Sequence, residues 1–130
     1  MNIRAISLIV LPLVVAGLAA CDKKTEPPVR KVTYVDDVAP ILEKHCVACH
    51  VAGQKGAESS GLLMDSYKTV MKGSRFGRII EPGSATTSSL YIIISGKARL
   101  TVSMPHGKEP LSAEEIETIR VWIEEGAIEG

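Results

Sequence analysis

Five consecutive residues, Cys46-Val47-Ala48-Cys49-His50, constrain the folding of this 130-residue chain more than any other feature. Two cysteines three positions apart on a helical turn project their sulfur atoms to the same side, and His50 follows directly. This spacing is typical of a site at which two thioether bonds hold a haem group and the histidine binds its iron. The same residues could form a disulfide or half of a zinc site, so the motif alone leaves three interpretations open.

The first twenty residues predict export from the cytoplasm. They contain one charge, Arg4, then an apolar stretch over residues 6–18, and they end in Leu18-Ala19-Ala20-Cys21. An apolar run this short, ending in small residues, is typical of a secretory signal peptide rather than of a membrane-spanning helix. The ending resembles the lipobox of bacterial lipoproteins, which implies a diacylated and N-acylated Cys21 at the mature N-terminus. The alternative is an ordinary signal peptide followed by a chance cysteine.

The residues after Cys21 are interpreted as a membrane tether. Two or three acyl chains on one cysteine are enough for stable anchoring. Asp22 resembles the residue that retains enterobacterial lipoproteins in the inner membrane, so the inner membrane is favoured. Residues 22–32 are polar, contain Pro27-Pro28 and show no periodicity, as in an extended spacer. We therefore expect an exported, lipid-anchored protein that faces the periplasm or the cell exterior.

The chain is accordingly divided into three parts. We predict a lipoprotein signal peptide over residues 1–20, a lipidated cysteine with a flexible linker over 21–32, and one domain over 33–130. The chain contains one Trp, one Phe and three Tyr, which allows only a modest core for a domain of this size. A bound haem would add the missing apolar mass.

The cysteine count and the charge balance narrow the interpretation further. The lipobox takes one of three cysteines, and beyond Cys46 and Cys49 a zinc site would have only His45 and His106 as further ligands. Covalent haem attachment takes place outside the cytoplasm, so export favours haem, and a disulfide remains the alternative. Without Arg4 the chain has 14 basic and 15 acidic residues, which gives no basic field for a nucleic-acid partner.

A helix is predicted from residue 33 to residue 46. Pro40 is compatible with it, because proline is tolerated in the first turn of a helix. The apolar stripe recurs at spacings of three and four and comprises Val35, Val38, Leu42 and Cys46.

The segment after Pro110 predicts a second helix. Ser112 and Glu115 form a capping box, and Leu111 and Ile116 stand at the positions of a hydrophobic staple. Gly126 is placed to end this helix. Its buried stripe is predicted to comprise Ile116, Ile119, Trp122 and Ile123.

Between these helices, chain-breaking residues alternate with short apolar pieces. Short helices are predicted around Asp65–Lys72 and over Ser88–Ser95. The second piece would equally fit a buried strand by its periodicity, but no other segment pairs with it convincingly. The predicted fold class is therefore all-α.

Three methionines and one histidine are candidates for a second iron ligand. Met64 and Met71 occupy amphipathic positions of one predicted helix, so we interpret both as core residues. Met104 stands in a loop and is followed by Pro105, which suits a fixed ligand better than a packing residue. His106 competes with it, and its imidazole would give a lower reduction potential. We predict Met104 as the ligand, which would close the iron to substrates and favour electron transfer.

The stretch Asp37–His50 resembles the opening of class I cytochromes c, and especially of the planctomycete-type cytochrome c domain with its pattern V-x-P-I-L-x-x-x-C-x-x-C-H. The similarity spans roughly residues 33–128. Further matching segments are Gly61–Tyr67, Pro82-Gly83, Ser88–Leu90, Met104-Pro105, Leu111-Ser112 and the Ile119, Trp122, Ile123 pattern.

This resemblance implies a cytochrome c-like domain in which the N- and C-terminal helices cross around one covalent haem c. Cys46 and Cys49 would hold the haem, and its iron would lie between His50 and Met104. His106 departs from the family, which more often has a second proline at that position.

Charge is segregated along the domain. Residues 68–108 contain seven basic side chains and one acid, whereas residues from 109 onward contain seven acids and one base. These charges are interpreted either as solvated surface or as a basic rim at the haem edge that attracts an acidic redox partner.

The leading hypothesis is a membrane-tethered electron carrier that passes single electrons between redox proteins. No nucleophile or acid–base pair is apparent, so we expect neither catalysis nor a small-molecule substrate. The alternatives are a haem-based sensor or ligand-binding module, a redox subunit of a larger oxidoreductase complex, a peroxidase-like enzyme, and a structural lipoprotein with a Cys46–Cys49 disulfide.

Overall fold

The computed structural model describes residues 30–98 and 104–130, and every regular element within these two ranges is helical. The prediction of a helical domain is confirmed at this level. The predicted signal peptide, the lipidated Cys21, Asp22 and most of the linker lie outside the described residues. In the two described ranges, no helix has the length and apolar character needed to cross a membrane.

The predicted first helix is present as one continuous helical segment, here called the N-terminal helical segment. It consists of a π-helical turn over Tyr34–Val38, an α-helical turn α1 over Ala39–Leu42 and a second π-helical turn over Glu43–Val47. Thr33 caps its start, since the Thr33 hydroxyl oxygen accepts a hydrogen bond from the backbone N–H of Asp36 at 3.3 Å.

The buried face of this segment begins one residue earlier than predicted. Val35 is 58% exposed, so its assignment to the apolar stripe is wrong, and Tyr34, Val38 and Leu42 are buried instead. Tyr34, Val38 and Leu42 are four residues apart, a spacing that places them on one face of the segment. Cys46 continues this spacing and packs partly buried against the core.

Four short elements follow in the middle of the chain. Helix α2 covers Lys55–Ser60, helix α3 covers Tyr67–Lys72, and helix α4 covers Ser89–Ile94, preceded by a 3₁₀ turn over Ala85–Thr87. The predicted helices around Asp65–Lys72 and over Ser88–Ser95 are confirmed as α3 and α4. Helix α2 was not predicted, because it has no apolar stripe and buries only Ala57.

Helix α5 covers Ala113–Glu124 and begins with the predicted capping box. The Ser112 hydroxyl accepts a hydrogen bond from the Glu115 N–H at 3.1 Å, and the Glu115 carboxylate accepts one from the Ser112 N–H at 2.8 Å. Gly126, with φ of +104°, follows the end of the helix as predicted. Of the predicted stripe, Ile119, Trp122 and Ile123 are fully buried and Ile116 is partly buried.

The N-terminal helical segment and helix α5 are joined through the last residues of the chain. The backbone N–H of Tyr34 donates to the Ile128 carbonyl at 3.0 Å, and the Trp122 indole N–H donates to the same carbonyl at 2.9 Å. The Tyr34 and Trp122 rings lie 6.0 Å apart, centroid to centroid. These contacts form one end of the core. The other end of the N-terminal helical segment leads into the pentapeptide and the functional site.

Glu115 links the two terminal elements by charge. One of its carboxylate oxygens lies 2.8 Å from the Lys44 ammonium and 3.1 Å from His45 Nε2, while the other accepts from the Ser112 N–H. The hydrogen bond from Lys44, followed by those from Ser112 and His45, lowers the pKa of Glu115 to about 2.

Replacing Glu115 with glutamine is expected to lower the free energy of unfolding by about 0.5–1 kcal/mol at neutral pH, since the charge interactions are lost. The pKa of this carboxyl is lower in the folded state than in the unfolded chain, so its charge stabilises the folded state at pH values above the usual pKa near 4.5. This contribution disappears as the pH falls through about 2. Urea denaturation at pH 7 and about pH 2 measures this dependence. The exposed neighbour Glu114→Gln is the control, and an equal destabilisation by Glu115→Gln at both pH values would contradict the assignment.

Candidate functional site

A cavity of about 640 Å³ opens beside the pentapeptide. Its walls come from the end of the N-terminal helical segment, helix α2, helix α4 and the loop before helix α5. Cys46, Cys49 and His50 line it, and so does Met104. Most of the other lining side chains are apolar, and they include Leu62, Met64, Ile79, Leu90, Ile93, Ile94 and Leu111. The volume and this lining are those of a site for a large, mostly apolar ligand.

His50 is buried and held in one orientation. Its Nδ1 lies 3.3 Å from the Leu62 carbonyl oxygen, and a carbonyl can only accept, so Nδ1 carries the proton. This tautomer leaves the lone pair of Nε2 free to bind a metal. The Met64 N–H donates to the His50 carbonyl at 2.8 Å. This hydrogen bond joins the same two backbone segments, the pentapeptide and residues 62–64. The contact with Leu62 could not be predicted, because a backbone carbonyl twelve residues away carries no sequence signature.

The two cysteines lie on the turn that precedes His50. The His50 N–H donates to the Cys46 carbonyl at 3.0 Å, and the Cys49 N–H donates to the same carbonyl at 3.1 Å. The structure shows Cys46 and Cys49 as separate thiols, with Cys46 half-buried and Cys49 exposed. Burial raises the pKa of the Cys46 thiol to about 11, so this thiol is protonated at neutral pH.

Helix α2 packs directly against the backbone of the pentapeptide. The Ala57 N–H donates to the Cys49 carbonyl at 3.1 Å. A Cβ atom placed on Gly56 would lie 2.5 Å from the same carbonyl oxygen and 3.2 Å from His50 Cε1. Only glycine allows this close approach, so Gly56 is a site residue that sequence reasoning missed.

The candidates for a second iron ligand are distributed as follows. Met104 is half-buried on the cavity wall, whereas His106, which also lines the cavity, is exposed. Met64 is only 3% exposed and belongs to the hydrophobic core, and Met71 packs partly buried against that core. The interpretation of Met64 and Met71 as core residues agrees with their burial. The choice of Met104 as ligand stays a prediction.

Among the described residues that line the cavity, the charged side chains are Lys55 and Lys108, and none is Asp or Glu. His45 and His106 also line it. A ligand with an apolar body and anionic groups at its edge would complement this set. Within the described ranges, no group of three or more His, Cys, Asp or Glu side chains is arranged to hold a bare metal ion.

The comparison with protein families identifies the domain. The helical fold, the pentapeptide and the cavity are consistent with a cytochrome c-type domain. The model of the family described as planctomycete cytochrome C matches residues 46–106, somewhat less than half of the chain. This match supports a cytochrome c-type domain in the chain. The matched stretch begins with the pentapeptide and includes Met104-Pro105. Nothing matches among the curated proteins or among the solved structures.

Similarity to this family implies a covalently bound haem with iron. The residues present fit such a group on three observations: the apolar cavity, the His50 tautomer with Nε2 free, and two thiols on the same turn. The basic edge groups fit the two carboxylates that a haem carries. The predicted haem-binding role of this domain therefore agrees with the chemistry of its cavity.

Proposed function

We propose that this protein is a membrane-tethered monohaem c-type cytochrome that transfers single electrons between periplasmic or cell-surface redox partners. The observation that carries the proposal is a single cavity lined by Cys46, Cys49, His50 and Met104, the residues that would form the thioether bonds and bind the iron in such a site. The N- and C-terminal helical elements would cross over this haem, as the family resemblance implies.

Each residue has a defined task in this proposal. Cys46 and Cys49 would hold the haem through thioether bonds, each formed by addition of the S–H across one vinyl group of the haem. His50 binds iron through Nε2, while its Nδ1–H remains bonded to Leu62. Met104 completes the coordination through its thioether sulfur. The bound haem supplies the Fe(II)/Fe(III) couple, and methionine ligation with an apolar surround raises its potential.

We infer no catalysis by this protein itself. In this proposal His50 and Met104 would occupy the coordination positions of the iron that a substrate would need. Partners are then redox proteins that approach the basic rim, and neither nucleic acid nor a small-molecule substrate is expected. The same arrangement would serve a redox subunit of a larger complex.

A second candidate function, a haem-based ligand sensor, is favoured by one observation. A smaller cavity of about 310 Å³ is also lined by Met104 and Pro105, together with Ile93, Ile94 and Lys108. Met104 therefore borders two cavities, as would be expected of a ligand that can leave the iron for a second position. Rapid carbon monoxide binding to the reduced, unmodified protein at neutral pH would support the sensor over the carrier.

Covalent haem is tested by haem staining on a denaturing gel after expression with the c-haem maturation system. The unmodified protein is expected to stain, because thioether bonds survive denaturation. Replacing both Cys46 and Cys49 by serine is expected to abolish the stain, and each single replacement to weaken it strongly. Lys55→Ala, at an exposed position on the same cavity, is the control that keeps it. A chain that never stains, and whose cysteines form a disulfide, would overturn the haem proposal.

The same gel tests the tether. The stained protein is expected in the membrane fraction, and Cys21→Ser is expected to move it to the soluble fraction with the stain retained, since no acyl chain can then be attached. Membrane association that is unchanged by Cys21→Ser would contradict lipid anchoring through this residue.

A further inference from the structure

Phe76 is the most exposed large apolar side chain among the described residues. It is 82% accessible to solvent, and Val35 follows at 58%. A single exposed apolar residue is common on protein surfaces and needs no explanation by itself. Three further observations distinguish Phe76: the rigidity of its turn, its position on the cavity and the charges around it.

The turn that carries Phe76, residues 74–77, is fixed by hydrogen bonds within itself. The N–H of Ser74 donates to the Gly77 carbonyl at 2.9 Å, and the N–H of Gly77 donates to the Ser74 carbonyl at 3.2 Å. The hydroxyl of Ser74 accepts from the Phe76 N–H at 3.1 Å. The backbone of Phe76 is therefore held in one conformation.

The same turn is also fixed to the elements on both sides. The Arg75 N–H donates to the Ser60 carbonyl at 2.9 Å, and the Arg75 guanidinium donates to the Glu58 carbonyl. On the other side Gly73 packs so closely that a Cβ atom there would lie 2.6 Å from the Gly77 carbonyl oxygen. An aromatic side chain on a backbone this rigid loses little conformational entropy when a partner covers it, which is a property of interface anchor residues.

The position of Phe76 relates it to the haem site. Phe76 lines the same cavity as Cys46 and Cys49 while most of its surface faces solvent, so it lies where the cavity opens. A protein that docks over this opening would approach the haem edge. Electron transfer between proteins needs such a close approach, and it needs an interface that also dissociates.

The chain segment around Phe76 is basic. Residues 66–80 contain four cations, all exposed, and no acid, while Asp65 and Glu81 lie directly outside this range. Arg75 and Arg78 flank Phe76 in sequence, and Lys72 ends helix α3 next to Gly73. An apolar centre with cations around it complements an acidic protein surface that contains an apolar recess.

We propose that Phe76 is the central apolar contact of a docking surface for an acidic redox protein, and that Lys72, Arg75 and Arg78 form its charged rim. Phe76 enters an apolar recess of the partner, and the rim cations meet carboxylates of the partner. This inference rests on the electron-transfer function proposed above and names the surface that serves it.

The test is the second-order rate of electron transfer from the reduced holoprotein, measured by stopped flow. The protein probe is plastocyanin, a small acidic copper protein, and the small-molecule probe is the tris-phenanthroline complex of Co(III). Phe76→Ala is expected to slow the reaction with the copper protein at least about fivefold, the effect of losing about 1 kcal/mol at an anchor residue. The reaction with the cobalt complex and the visible spectrum should not change. Phe76→Leu should retain most of the rate, and Val35→Ala, at the other exposed apolar residue, should retain all of it.

Charge is tested in the same reaction. The rate with the copper protein is expected to fall as ionic strength rises, and the double variant Arg75→Gln/Arg78→Gln should weaken this dependence. An unchanged protein-probe rate in Phe76→Ala, or a salt-independent rate for the unmodified holoprotein, would overturn the docking surface. A change in the spectrum and in both rates would also overturn it and would assign Phe76 to haem packing. A chain that takes up no haem, or does not react with the cobalt complex, would instead refute the electron-transfer function.

Discussion

Replacing Met104 by alanine is expected to remove the weak near-infrared band of ferric iron bound to methionine and to lower the midpoint potential. A thioether ligand stabilises the ferrous state, so its loss favours the ferric state. The fall should be a sizeable part of the roughly 0.8 V range over which axial ligands set haem potentials. Reduced Met104→Ala should also bind carbon monoxide much faster than the unmodified protein, because the sixth position is then open. Near-infrared spectroscopy, potentiometric titration and flash photolysis give the three measurements.

The structure supplies two controls for this prediction. Met64 lines the same cavity but is only 3% exposed, so Met64→Ala should lower stability by about 2–5 kcal/mol while the near-infrared band remains. His106 lines the cavity from an exposed position, so His106→Ala should leave both the band and the stability nearly unchanged. A band that survives in Met104→Ala and disappears in Met64→Ala would transfer the ligand role to Met64.

Replacing Gly56 by alanine is expected to destabilise the holoprotein by about 1–3 kcal/mol, the usual cost of overpacking. The sign of this change in stability is informative, because alanine inside a helix normally stabilises a protein by about 0.5–1 kcal/mol relative to glycine. Here the added Cβ would lie 2.5 Å from the Cys49 carbonyl oxygen and 3.0 Å from its carbonyl carbon. Relief of this clash must move the pentapeptide or separate helix α2 from it, which breaks the hydrogen bond from Ala57.

Urea denaturation of the holoprotein measures the change in stability, and the yield of haem-stained protein reports on the pentapeptide. Ser59→Ala is the matched control, since Ser59 is exposed on the same helix and its replacement should change stability by less than about 0.5 kcal/mol. A Gly56→Ala protein that is as stable as the unmodified one, or more stable, would show that the close approach of helix α2 is not needed.

Local patterns predicted the terminal elements well, and the reason is physical. The capping box of Ser112 and Glu115 lies within four consecutive residues, and its hydrogen bonds do not depend on distant parts of the chain. Pro40 likewise lies in the first turn of α1, where its ring is tolerated. In the N-terminal helical segment, Val38, Leu42 and Cys46 face the core as predicted, and Val35 was assigned wrongly because Tyr34 takes the buried position before it.

Helix α2 shows why the middle of the chain was harder to predict. Its six residues have no apolar periodicity, and the element packs through a glycine and a small side chain against backbone rather than through an apolar stripe. In contrast, helix α4 was predicted as a helix, since its apolar residues had no partner strand. Hydrophobic periodicity therefore located the elements that bury large side chains and missed the one that buries only Ala57.

The amino-acid sequence by itself determined the chemistry of this protein: two thiols and an imidazole in five consecutive residues, with Met104 as the candidate that completes the set. These groups are specified by residue type and local spacing, which a linear chain can carry. Only the tertiary structure decided which of them line one cavity and that the Leu62 carbonyl sets the tautomer of His50. It also decided that helix α2 packs on the Cys49 backbone and that Phe76 lies at the cavity opening. These features depend on contacts between segments that are distant in the chain, and such contacts are selected by the packing of the whole domain rather than by any local pattern.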